Sequence, residues 1–149
     1  MPNILRRGRR GVSLAAVLYF AAFVLVPLML LTLGIGRYLH VRNTLAAAAD
    51  AAALAAAQDV DMRYYRLTGE LRFAGYAWDE AYGYAMLNAE WLIRRRVYPQ
   101  VTHIHLHHDR HVVEVIVGAN AEDLFGGIGP VWIEVSAEAE VGALHEVYP

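Results

Sequence analysis

From Gly11 to Gly36 the chain runs through 26 residues without a formal charge, GVSLAAVLYFAAFVLVPLMLLTLGIG. As a helix rising ~1.5 Å per residue this stretch is about 39 Å long, enough to cross a hydrocarbon core of about 30 Å. A signal-peptide core is roughly half as long and ends at a small-residue cleavage site. Here the apolar run continues into Arg37 and Tyr38. The pattern predicts a retained transmembrane helix over residues 12–38. Pro27 removes one backbone donor inside it and predicts a local bend.

Nothing between Thr32 and Gln58 forces that helix to stop, so an alanine-rich extension over residues 39–61 is its simplest continuation. The rod would be roughly 75 Å long. Its outer part, LAAAADAAALAAAQD at 45–59, has little apolar bulk to bury, but alanine has the best helix propensity. Small side chains at Ala47, Ala51 and Ala55, or at Ala48, Ala52 and Ala56, let another backbone approach closely. That backbone belongs either to the chain's own domain or to a neighbouring subunit, and the two readings stand side by side. Asp50, alone among alanines, either meets a neighbour's cation or marks the solvated side.

Residues 62–149 read as a small head. Thr68, Gly69 and Glu70 predict a turn, and Gly75 a second break. A helix is expected from about Trp78 to Val97, with Ala81, Ala85, Ala89, Leu92 and Ile93 near one face. The arginines at 94–96 fall in its last turn and Pro99 ends it. VTHIHLHH (101–108) and HVVEVIV (111–117) predict a hairpin with Asp109 and Arg110 at its tip. Ile104 and Leu106 then share a face with Val113, Val115 and Val117, while His103, His105 and His107 share the other with Glu114. VWIEVSAEAEV (131–141) alternates as a half-buried antiparallel strand. Val113, Val115, Ile133 and Val135 are expected to be buried against the 78–97 helix. The glycine-rich DLFGGIGP (123–130) precedes no helix and carries no lysine, so it reads as a loop and not a phosphate cradle. The fold class is therefore α+β: a long N-terminal helix carrying one helix on an antiparallel sheet of about three strands.

Charge adds a direction. Residues 1–42 hold six arginines and no acid, and residues 43–149 hold seven arginines against fifteen acids. Four arginines, Arg6, Arg7, Arg9 and Arg10, precede the apolar run, and only Arg37 and Arg42 follow it closely. The positive-inside rule puts residues 1–11 in the cytoplasm as a basic leader and the head, residues 62–149, across the membrane. An acidic exported half argues against nucleic-acid binding. The absence of cysteine excludes thiol catalysis, cysteine metal sites and disulfides. Lysine is absent too, and Ser13 in the span and Ser136 on a strand suit no nucleophile elbow. No enzyme and no organic cofactor is expected.

His103, His105 and His107 are the strongest chemical signal, since alternate residues of a strand lie on one face and neutral imidazoles ligate zinc, copper or nickel. His111 and Glu114 join them if the hairpin is as drawn. The competing reading is a solvated or partner-facing strand surface.

RRGRRGVSLAAVLYF, the apolar span and RNTLAAAADAAALAAAQD (42–59), followed by VEVIV and DLFGGIGPVWIEVSAEAEV, resemble TadE/TadG-like proteins of the tight-adherence (Tad or Flp) pilus assembly system. The resemblance covers most of the chain. It implies a pilin-like fold and a non-enzymatic minor pilin-like or pseudopilin-like component. Its partners would be other pilin-like subunits and membrane proteins of the assembly machine. It would be a single-pass protein of the cytoplasmic membrane, with a periplasmic or extracellular head, or part of a surface filament. It also implies that the alanine helix, through Ala47, Ala48, Asp50, Ala51, Ala52 and Ala55, packs on the same helix of neighbours and has little to bury in the monomer. Leader processing in similar proteins would fall between Gly11 and Val12, but Ala16 stands where such sequences carry glutamate. The alternative function is a bitopic membrane protein with an exported, histidine-rich head that binds metal or a partner.

Overall fold

The computed structural model describes residues 14–121 and 129–142. The basic leader, Gly11 and Val12, and most of the glycine-rich connection lie outside the described residues. The first helix, α1, is continuous over Leu14–Gln58, 45 residues and about 67 Å. Pro27 is accommodated by a π turn at Ala21–Leu25, in which the Val26 N–H reaches Ala21 O. The proline ring would collide with the carbonyl four residues back, and a wider turn just ahead of it relieves that clash.

The two halves of α1 have opposite surroundings. Between Leu14 and Leu33 its large apolar side chains are bare, 46–68% exposed. Beyond Val41 it is sheathed: Leu45, Ala48, Ala49, Ala52, Ala53 and Ala56 are fully buried. The head supplies the cover. After α1, helix α2 (Met62–Thr68) is capped by Asp61 and ends on Gly69 in the left-handed conformation. Helix α3 (Ala77–Asn88) runs back along α1, followed by the single turn α4 (Glu90–Ile93). Strands β1 (Gln100–His107), β2 (Val112–Ala121) and β3 (Val131–Glu140) form an antiparallel meander in the order β1-β2-β3. The architecture is α+β.

Three expectations need correction. The helix expected over 78–97 is two, broken at Ala89 (φ −108°, ψ 19°), and α2 was not foreseen. Sheet and second helix do not pack mainly on each other, because α1 lies between them. It contacts α3 on one side and β2 and β3 on the other, whereas the sheet contact of α3 is mainly with β1. And α1 buries a great deal within the monomer. Val113, Val115 and Ile133 are buried as expected, Val135 only half so, and their cover is mainly the alanine helix.

That sandwich explains the alanines. A helix covered on two flanks must let both neighbours come close, and Ala48, Ala52 and Ala56 offer no obstruction. The facing α3 contributes Ala77, Ala81 and Ala85 at the same four-residue spacing, all buried. Two such rows permit helix separations toward the lower end of the usual ~8–10 Å. The reversal from α1 to α3 is held by Asp59, itself buried, whose Oδ2 accepts from the N–H groups of Gly75 (3.1 Å) and Tyr76 (2.9 Å) at the start of α3. A carboxylate suits that positive helix end.

Candidate functional site

Two surfaces of the head carry side chains that the fold itself leaves unused. One is the side of α1 turned away from α3 and the sheet. Asn43, Ala47, Asp50, Leu54 and Gln58 are exposed and recur at steps of four, three, four and four, which makes one stripe along a helix. Leu54 is 44% exposed on it. Gly36 and Leu39, also exposed, carry the stripe toward the bare apolar half. Of the six positions singled out for helix packing, Ala48, Ala52 and Ala55 are covered by the chain's own head, Ala51 is half-covered, and Ala47 and Asp50 face outward.

The second surface is the outer face of the sheet. Period-two alternation turns Val113, Val115 and Val117 toward α1 and Glu114 away from it. On β1 a bulge at Thr102 shifts the register between Val101 and His103. Val101 is thus opposite inward Val117 while His103 is opposite outward Ile116. The Thr102 hydroxyl lies within hydrogen-bond distance of Ile116 O (3.2 Å) and Glu134 Oε1 (3.1 Å). Beyond the bulge His103, His105 and His107 do share one face, with ring centroids 5.8 and 6.4 Å apart along the row.

The close polar grouping on that face is a different one. Glu114 on β2 is directly opposite Glu138 on β3. Like charges in that position repel, and each has an answering group: His107 Nε2 is 3.0 Å from Glu114 Oε2, and Arg110 Nη1 is 3.1 and 3.2 Å from the two Glu138 oxygens. One ligand atom each from His107, Glu114 and Glu138 falls within 4.8 Å of the others, a separation that one cation can bridge. His103 and His105 are outside this group, and His111 is on another side of the head, its Nε2 2.9 Å from the Tyr65 hydroxyl. The sequence does not signal Glu138 as a member, because its approach to His107 runs through two strand pairings, β1 with β2 and β2 with β3.

Residues 13–59 match the family model described as putative Flp pilus-assembly TadE/G-like. The matched segment is essentially α1, the bare half together with the sheathed half. No curated protein and no solved structure matches the chain. The match supports involvement in Tad pilus assembly, among other components of that machinery, and the apolar half of α1 is compatible with a single-pass membrane anchor.

Proposed function

We propose that this chain, whose residues 13–59 match the TadE/G-like pilus-assembly model, is a non-enzymatic, minor pilin-like or pseudopilin-like component. Its N-terminal helix anchors it with the N-terminus in the cytoplasm and the head exported, and it acts by packing that helix on other pilin-like subunits. One observation carries the reading. The helix is bare where a membrane would cover it, sheathed by the head on two flanks beyond, and open along a single stripe through Ala47, Asp50 and Leu54. On that stripe Ala47 lets a second helix come close and Leu54 offers it an apolar contact, while Asn43, Asp50 and Gln58 offer polar partners.

The chain contains no cysteine, so a single introduced thiol is unique. Ala47→Cys and Asp50→Cys are expected to cross-link to a second pilin-like subunit in cells that assemble pili, and Ala52→Cys, covered by the head, is not. Cross-linking that is absent from both outward positions sinks the packing role.

The grouping of His107, Glu114 and Glu138 favours a second reading, a divalent-cation site on the exported sheet. One imidazole and two carboxylates form a mixed ligand set of the kind zinc accepts, with room for water. Arg110 would have to release Glu138 for the ion to enter. Equilibrium dialysis of the full chain against zinc distinguishes this site from the histidine row. Binding lost in Glu138→Gln and His107→Ala but retained in His103→Ala supports the three-strand grouping. Loss in His103→Ala with Glu138→Gln unaffected supports the row of His103, His105 and His107 instead.

A further inference from the structure

We infer that the turn carrying Arg94, Arg95 and Arg96, with Trp91 and Tyr98 beside it, is a seat for anionic phospholipid headgroups of the membrane that α1 enters. The inference rests on the membrane-anchor reading of α1.

This turn sits beside α1 just past the end of its uncharged run. The uncharged run ends at Gly36, and Arg37 is the first charge after it. His40, one helical turn further, meets the Trp91 ring edge-on, with centroids 4.2 Å apart. At ~1.5 Å per residue Trp91 is therefore only about 5 Å beyond the level of Arg37. Because α3 and α4 run antiparallel to α1, this is the end of the head nearest the bare apolar half. The Asp59 junction and the β1–β2 hairpin tip are at the other end. A tryptophan at that height is placed where amphipathic rings favour the membrane–water boundary.

The turn is also fixed in place. Leu92 is fully buried, and backbone N–H groups of Arg95, Arg96 and Val97 donate to Leu92 O, Ile93 O and Leu92 O at 2.9–3.0 Å. Val97 and Pro99 are buried on its far side, while the three arginines, Trp91 and Tyr98 remain exposed. Arg95 stacks its guanidinium 4.7 Å from the centre of the Trp91 ring. Arg94 pairs with Glu90, and among the described residues Arg95 and Arg96 pair with no carboxylate. In a region of the chain that is acidic overall, this turn sets three cations in a row, with Arg37 and Arg42 flanking it on α1. Guanidiniums bind phosphate oxygens, and near an anionic surface each adds to the attraction.

The test uses the full chain in vesicles of phosphatidylcholine, with or without phosphatidylglycerol. Single thiols carrying a fluorophore are introduced at Tyr98→Cys beside the turn, Asp109→Cys at the hairpin tip and Leu25→Cys in the bare half. Headgroup spin-labelled lipid is expected to quench the Tyr98 label severalfold more than the Asp109 label, and more strongly when phosphatidylglycerol is present. Arg94→Gln/Arg95→Gln/Arg96→Gln should abolish the phosphatidylglycerol increment while leaving the circular dichroism of the head unchanged. If the Leu25 label is quenched by acyl-chain spin label while the Tyr98 label is no more accessible to lipid than the Asp109 label, the seat is overturned and the anchor stands. If the Leu25 label is not quenched either, anchor and seat fall together. Quenching at Tyr98 that is indifferent to phosphatidylglycerol overturns the headgroup assignment.

Discussion

Trp132 on β3 occupies the space that a side chain on Gly118 of β2 would fill: a Cβ there would be 2.8 Å from Trp132 Cε2 and nearer still to Cζ2. Gly118 is paired with Glu134 and Asn120 with Trp132, so the ring reaches its glycine diagonally across the two strands. The indole is thereby laid flat on the outer face, 43% exposed. Gly118→Ala must push the ring off the sheet. A loss of about 1–3 kcal/mol is expected, together with a red shift of tryptophan emission. A variant that melts and fluoresces like the parent would mean that the ring does not rest there.

A second prediction tests the strand register. Val115 is fully buried and is opposite Ile104 on one side and Ala137 on the other. Val115→Asp places an unpaired charge against the alanine helix and should cost at least about 3 kcal/mol. Ile116→Asp, on the outer face one residue on, should cost far less. Equal effects in chemical denaturation would show a register one residue out.

Strands β2 and β3 are legible in the sequence because period two is unbroken along their pairing: one misplaced residue inverts a face, so the inward valines and outward glutamates declare their sides. The long helix is legible for the opposite reason, since no residue between Thr32 and Gln58 interrupts it. The break at Ala89 carries no glycine or proline to announce it. The helix Met62–Thr68 is too short for periodicity to show, and its signals, Asp61 before it and Gly69 after it, are equally those of a turn. Least legible is what the alanines face. An alanine serves a solvated helix, a helix pressed by its own domain and one pressed by a neighbour, and only the three-dimensional placement of α1 between α3 and the sheet separates Ala52 from Ala47. The candidate cation grouping is half legible: alternation puts His107 and Glu114 on one face, but adding Glu138 requires the β2–β3 register.

The Asp61 carboxyl is held below its ordinary value of 3.8, chiefly by the N–H it accepts from Tyr64 and further by the Arg72 guanidinium. A carboxylate depressed in the fold contributes stability above the unfolded value and loses it as pH falls through the folded one. The cap of α2 should therefore hold at neutral pH and weaken only below 3.8. Carbon NMR titration of the Asp61 carboxyl should give a midpoint under that value, moving upward in Arg72→Gln. A midpoint at or above it in the parent would contradict the cap geometry.

The last prediction separates the two sides of the alanine helix with one substitution made twice. Leucine preserves helix propensity and adds bulk. At Ala52, buried between α3 and the sheet, that bulk has nowhere to go, and Ala52→Leu should destabilise the head by about 1–3 kcal/mol. At Ala47, exposed on the outward stripe, the same change touches nothing in the monomer, and the melting of the full chain in detergent should stay within error of the parent. If another subunit's helix packs on that stripe, Ala47→Leu should nonetheless block co-purification with a second pilin-like protein, because two backbones can no longer close to alanine distance. Ala47→Ser, small but polar, should restore it. Normal co-purification of Ala47→Leu would show that the stripe is solvated, and unfolding of Ala47→Leu would show that the head covers more of α1 than its outward face allows.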